Sequence, residues 1–459
     1  MNFWDAALSL SAGPLLFLAI ALLVAFAFEC INGFHDTANA VTTVIYTRTL
    51  PAFPAVVYSG FMNFLGVLLG GTAVAFGIVN LLPVDLLIEG TSNAALVMVL
   101  ALLVAGVIWN LGTWYKGLPV SSSHTLIGSI LGVGIANSLL TGKGLAGVNW
   151  SKAGEVGLAL LFSPVFGFVV AGLLLLTLKL LIREPRLYKP PEGDDRPPTW
   201  IRGVLIATCG GVSFAHGSND GQKGMGLVLL VLIGFLPFHY ALNIYQPGLA
   251  EQVREAAIAS ETIVTQDGQQ LSGPAKQDLE TIRRVLQDRS SFAEVPEAER
   301  WEVRQAIYRF RKDTASLQLS PEAKEAMRPH LKALGLSIEF VPLWVVIGTA
   351  LALGIGTTIG YKRIVITVAE KIGKQHLTYA QGAAAETVAA GTIMVTAVTG
   401  LPVSTTHVLS SGVAGTMVAN KSGVQPTTIR KIALAWVLTL PACILLAGGL
   451  FCLGRWIAG

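Results

Sequence analysis

Ten stretches of the chain are apolar almost without interruption, at residues 14–31, 52–80, 94–113, 119–139, 154–182, 201–235, 341–360, 379–400, 402–420 and 430–453. A bilayer crossing takes about 20 apolar residues in helical form, so the pattern predicts an all-α polytopic membrane protein. The runs are continuous rather than alternating, which excludes an outer-membrane barrel. Two of them carry residues that a continuous apolar helix would not want. The first runs into Asn32-Gly33-Phe34-His35-Asp36-Thr37-Ala38-Asn39, and the sixth contains His216-Gly217-Ser218-Asn219-Asp220-Gly221-Gln222-Lys223-Gly224. Both motifs are expected to interrupt their helices.

Residues 242–340 depart from the pattern, holding 28 of the 60 Asp, Glu, Lys and Arg residues, 15 acidic and 13 basic. They read as an aqueous insertion. Leu279, Ile282, Val285 and Leu286 recur at helical spacing, and 297–312 and 321–334 also read as amphipathic helices. With no Cys/His cluster or Gly-rich motif, the insertion reads as a helical loop domain without catalysis.

The chain also repeats itself. Pro119-Val120-Ser121-Ser122-Ser123-His124 recurs as Pro402-Val403-Ser404-Thr405-Thr406-His407, and Asp36 recurs as Asp220. The spacing between copies of the first motif exceeds that of the second by the length of 242–340. The chain therefore divides into a first transmembrane repeat (1–182), a linker (183–200), the start of a second repeat (201–241), the insertion (242–340) and the remainder of the second repeat (341–459). Five apolar segments per half would turn the second half upside down, giving inverted repeats. Re-entrant hairpins at 119–139 or 402–420 would alter the count, for about 10–12 transmembrane segments with interrupted or re-entrant helices. Basic residues at 183–200, 361–378 and 421–431 fall on one side of a ten-crossing arrangement, which the positive-inside tendency makes cytoplasmic. Asp85 and Glu89 in 81–92 fall on the other side, with both termini and the insertion.

Composition agrees: 459 residues, 53% hydrophobic, 13% charged, with a mean hydropathy of +0.62, rule out an ordinary soluble enzyme, for which about 25% charged is usual. A net charge of +4 implies no nucleic-acid partner. Cys30, Cys209, Cys443 and Cys452 show no metal or disulfide spacing, and no cofactor is expected. The start, MNFWDAALSLSAGP, has no basic residue before its apolar run, so the first helix is expected to be retained rather than cleaved.

Inverted repeats with interrupted helices are the architecture of secondary transporters, which gives the motifs a physical task. Each Pro-Val-Ser-[Ser/Thr]-[Ser/Thr]-His starts a helix with three hydroxyls, so Ser121, Ser122, Ser123, Ser404, Thr405 and Thr406 could surround one tetrahedral oxyanion at two helix N-termini. Capping alone is the competing reading. Asp36 and Asp220, with Asn32, Asn39 and Asn219, suit a cation or a titratable proton; no metal ligand set is fixed, Asp36 and Asp220 being the candidate cation ligands. Aligning the two acids sets His35 against Asn219 and Asn39 against Lys223. A lysine ammonium can take the place of a monovalent cation and a histidine can carry a proton, so proton coupling is expected over sodium. Glu386 is a candidate proton carrier, Glu29 reads as interfacial, His124 and His407 as helix-start residues, and His216 is left with either role.

The two Asp motifs and the duplicated Pro-Val-Ser-x-x-His closely resemble the inorganic phosphate transporter (Pit) family, specifically its bacterial low-affinity branch, across everything except the insertion. The resemblance implies an inner-membrane symporter of inorganic phosphate, with phosphate contacts on the hydroxyl motifs and cation contacts on Asp36, Asn39, Asn219 and Asp220. Sodium-coupled relatives typically carry Asn-Asp in both motifs and a second Asn three residues later; His35 and Lys223 depart from that. The bacterial branch implies proton-driven uptake, in part as a neutral complex of phosphate with Mg²⁺ or Zn²⁺. A sodium-coupled or sulfate symporter of the same architecture, an intramembrane metal-dependent enzyme, a scaffold acting through the insertion, and a homo-oligomeric assembly stay open.

Overall fold

The computed structural model describes residues 3–81, 93–145, 148–191, 197–400 and 403–458. The acidic loop expected around Asp85 and Glu89, and Arg196 and Pro402, lie outside the described residues. Within them the chain is helical, in the order α1 (Phe3–Leu8), α2 (Ala12–Tyr46), α3 (Ala52–Leu69), α4 (Ala73–Val79), α5 (Asn93–Tyr115), α6 (Ser122–Leu140), α7 (Trp150–Leu181), α8 (Thr199–Phe235), α9 (Leu249–Gln266), α10 (Gly273–Leu286), α11 (Glu297–Ser316), α12 (Pro321–Ile338), α13 (Leu343–Thr357), α14 (Lys362–Ile366), α15 (Tyr379–Thr399), α16 (Thr405–Ala419) and α17 (Pro426–Ala458). Seven of these, α2, α3, α5, α6, α7, α15 and α17, are long and apolar enough to cross a membrane. The sequence pattern suggests more crossings because α13 and α16 stop after 15 residues each, and because α8 carries His216, Asn219, Asp220 and Lys223 within its 37 residues.

The chain forms two compact units, residues 16–231 with 342–459 and residues 232–341 with 1–15. In the second, α9 to α12 pack around Val253, Leu279, Ile282, Ile307 and Phe310. The three expected helices are present, joined by α9. Ser272 and Ser320 cap α10 and α12, each with proline at the next turn's start. Arg304 is buried and donates to the carbonyls of Ala241 at 2.7 Å and Ile338 at 3.1 Å, and burial pulls its guanidinium down to about 10.

In the first unit one expectation is corrected. The two Asp motifs do not interrupt their helices: α2 and α8 each run straight through. The glycines that suggested a break serve close approach instead. A Cβ on Gly33 would meet the backbone of Leu353 and Thr357 on α13, and one on Gly217 would meet the backbone of Asn63 on α3. Small residues let membrane helices touch backbone to backbone, and neighbouring helices also supply the partners that polar residues in mid-helix need. The chain does start new helices at the hydroxyl motifs, α6 after Ser121 and α16 after Ser404.

Packing between the two sequence halves is reciprocal. α2 of the first half meets α13 of the second through Gly33, and α8 of the second meets α3 of the first through Gly217. Likewise Gly132 of α6 lies against the Ile444 carbonyl of α17, and Gly415 of α16 against the Phe168 carbonyl of α7. Gly217→Val is therefore expected to force α8 away from α3 at a cost of about 1–3 kcal/mol or more, lowering the unfolding temperature in detergent. Gly203→Val, on the same helix with open space around it, is expected to leave that temperature unchanged.

Candidate functional site

Asp36 and Asp220, each at most 3% exposed, come from the middle of α2 and α8 to the point where α6 and α16 begin. A carboxylate at membrane depth is costly unless donors surround it, and here the donors come from both hydroxyl motifs. Ser122 Oγ lies 3.4 Å from Asp36 Oδ2 and 3.3 Å from Asp220 Oδ2, within reach of donating to either. Thr405 Oγ1 donates to Asp36 Oδ2 at 3.3 Å, and Thr406 Oγ1 donates to Asp36 Oδ1. Asn39 Nδ2 reaches Asp36 Oδ1 at 3.3 Å and Thr406 Oγ1 at 3.1 Å.

The two helix starts are built alike. Ser121 and Ser404 are extended N-caps whose hydroxyl oxygens accept from the backbone amides of His124 at 3.2 Å and His407 at 3.1 Å. Their side chains are engaged in capping, while the next two residues of each motif turn toward the charged groups or the facing motif. The starts meet: Ser123 Oγ donates to the Val403 carbonyl at 3.0 Å, and the His124 and His407 rings lie 4.6 Å apart, with His407 stacked on Trp436.

Lys223 answers one of the two carboxylates. Its ammonium sits 2.7 Å from Asp220 Oδ1, 2.6 Å from Ser123 Oγ and 2.9 Å from the Val403 carbonyl, which occupies all three of its donors. His216 lies between the two acids. Its Nδ1 is 2.7 Å from Asn63 Oδ1, and Asn63 uses its amide group to donate to Thr357 Oγ1 at 3.0 Å, so Nδ1 is the donor. That leaves Nε2 aimed at Asp36 Oδ2, 3.5 Å away, and Asp220 Oδ2, 3.6 Å away. A bare lone pair facing two carboxylates is repulsive; a proton on Nε2 or a metal ion among the three groups removes the repulsion. One ligand atom from each of Asp36, His216 and Asp220 lies within 4.8 Å of the others.

The remaining expected residues are less closely gathered. His35 Nδ1 is 3.7 Å from Asp36 Oδ1. Asn219 Nδ2 reaches Thr396 Oγ1 on α15 at 3.5 Å. Glu386, also on α15, accepts from Thr208 Oγ1 at 2.6 Å, and Thr208 stands about 18 Å along α8 from Asp220 at the usual helical rise. Asn63, Thr357 and the Val403 carbonyl had no sequence signal, since each matters only through the neighbour that folding gives it.

The phosphate transporter family matches residues 32–447. The chain belongs to that family. It is 42% identical to the low-affinity inorganic phosphate transporter PitB of Escherichia coli (strain K12), over 98% of this chain and 98% of that protein. To PitA of the same organism it is also 42% identical, over 97% and 98%. The solved structure of a sodium-dependent phosphate transporter shares the fold, with a TM-score of 0.60 at 18% identity, covering 96% of this chain and 99% of that one. The chain is thus a multi-pass phosphate transporter of the inner membrane rather than an enzyme. In this transporter Lys223→Met would leave Asp220 buried without its counterion, an expected loss of about 3–5 kcal/mol read as a lower unfolding temperature in detergent. Adding Asp220→Asn is expected to restore most of that stability but not phosphate uptake.

Proposed function

We propose that this transporter takes up inorganic phosphate together with protons, in part as a neutral complex with a divalent metal ion, by alternating access of two inverted halves. The observation that carries this reading is the charge of the buried cluster. With His216 neutral, Asp36 and Asp220 against Lys223 leave one net negative charge where both hydroxyl motifs converge, and a proton or metal ion at His216 Nε2 is what would bring the empty cluster to neutrality. Hydrogen phosphate would add two more. Such an accumulation is prohibitive in a medium of low dielectric, so phosphate enters only in company with cations. That requirement is itself coupling, because each ion binds well only when the other is present.

The residues suit each partner. Ser122, Ser123, Thr405 and Thr406, now turned to the acids, to Lys223 or to the Val403 carbonyl, can rotate onto phosphate oxygens, where the free amides of two helix N-termini add donors. A carboxylate can accept from a P–OH group, which sulfate lacks near neutral pH. For a divalent cargo ion, tetrahedral coordination at about 2.1 Å places donors about 3.4 Å apart; the His216–Asp36 and His216–Asp220 separations of 3.5 and 3.6 Å suit it. Lys223 already holds three oxygens at 2.6–2.9 Å, the donor set a sodium ion would want, which favours protons over sodium.

The test is labelled phosphate uptake into liposomes holding the purified protein, under an imposed proton gradient or an imposed sodium gradient, with excess sulfate and with a chelator. Uptake is expected to follow the proton gradient, to ignore sulfate and to fall when divalent metal is removed. Asp36→Asn is expected to reduce it about 30-fold or more. Uptake driven by sodium alone, or blocked by sulfate, overturns the reading.

A further inference from the structure

One buried acid takes no part in that cluster. Glu29, near the centre of α2 and 1% exposed, has neither carboxylate oxygen in a hydrogen bond of good geometry, and the Asn32 amide is the nearby donor that acts on it. Asn32, one turn along, faces it and has its own Oδ1 unpartnered, and so does the Thr349 hydroxyl on α13; both residues are buried. Three helices meet here because Gly224 on α8 makes room. A Cβ at Gly224 would run into the Glu29 carboxylate and lie 2.8 Å from Thr349 Cγ2. The Glu29 carboxylate, the Asn32 Oδ1 and the Thr349 hydroxyl are therefore buried without full hydrogen bonding where these three helices meet.

We propose that Glu29, Asn32 and Thr349 form a second cation site, distinct from the hydroxyl cluster, which takes up a proton or a monovalent metal ion that travels with phosphate. A proton on Glu29 turns it into a donor for the Asn32 or Thr349 oxygen, and a sodium ion would collect the same oxygens as ligands. The ammonium of Lys223 does not supply the missing charge, since its three hydrogens are spent on Asp220, Ser123 and Val403. The titratable and charged groups acting on Glu29 are Asp36 and Cys30 on its own helix and Asp220 and Lys223 on α8; α13 has no charged residue in its length. Two carboxylates against one ammonium leave a negative field at Glu29, which favours a cation there. Only three to four residues separate Gly224 from Asp220 along α8, so occupancy at Glu29 is felt where phosphate binds.

The proposal rests on the reading of coupled uptake, and two independent measurements separate them. Infrared difference spectra of the purified full chain, native minus E29Q, are taken in acidic and alkaline buffer and with and without sodium. A carboxylic-acid band that titrates, or a carboxylate band that shifts with sodium, and that E29Q abolishes, is expected and tells the two cations apart. In liposomes, E29Q is expected to lower gradient-driven phosphate accumulation about tenfold or more, with partial rescue by E29D, while its unfolding temperature in detergent does not fall. No Glu29-dependent band, or native accumulation by E29Q under the same gradient, overturns the site. A Glu29-dependent band in a native protein that responds to neither gradient keeps the site and overturns coupled uptake.

Discussion

Asp36 and Asp220 lie so close that one hydroxyl, Ser122 Oγ, is within hydrogen-bonding reach of both, and no water-like medium surrounds them. Two like charges at that separation repel strongly in low dielectric, so the pair persists only if the rest of the molecule brings enough opposing charge and enough donors. The ammonium of Lys223, the hydroxyls of two helix starts, the Asn39 amide and the His216 ring are all explained by that demand. In the proposed reading, the same demand makes the site receptive to cations and, through them, to an anion.

Meeting it is a packing problem before it is an electrostatic one. Each motif is short, and the donors lie hundreds of residues apart in the chain. Helices α2 and α8 reach the required position because glycines at their polar centres let α13 and α3 lie directly against the backbone. Helices α6 and α16 are held in the same way by the long helix of the opposite half, α17 and α7. Each half thus seats the other's helices, and a shared site follows from the exchange.

The paired capping serines show how the duplicated motif divides its labour. The first hydroxyl closes the helix N-terminus, which fixes where the turn points; the following two are then presented to the acids and to Lys223. Three adjacent hydroxyls look equivalent in sequence, yet backbone geometry gives the first a different task from its neighbours.

The sequence by itself determined the helical membrane class, the presence of a duplicated chain, the helical insertion and the residue types at the site, because hydrophobic length, periodicity and repeated motifs are local properties. It also marked Lys223 as the residue standing in the place of a bound cation, since the two Asp motifs can be aligned without any structure. Tertiary structure alone decided that α2 and α8 are continuous, that Asn63 orients the His216 ring, that the Val403 carbonyl holds Lys223, and that Glu29 is buried among α2, α8 and α13. Those facts depend on which backbone approaches which, and a glycine placed for close approach is written in sequence no differently from one placed for a break.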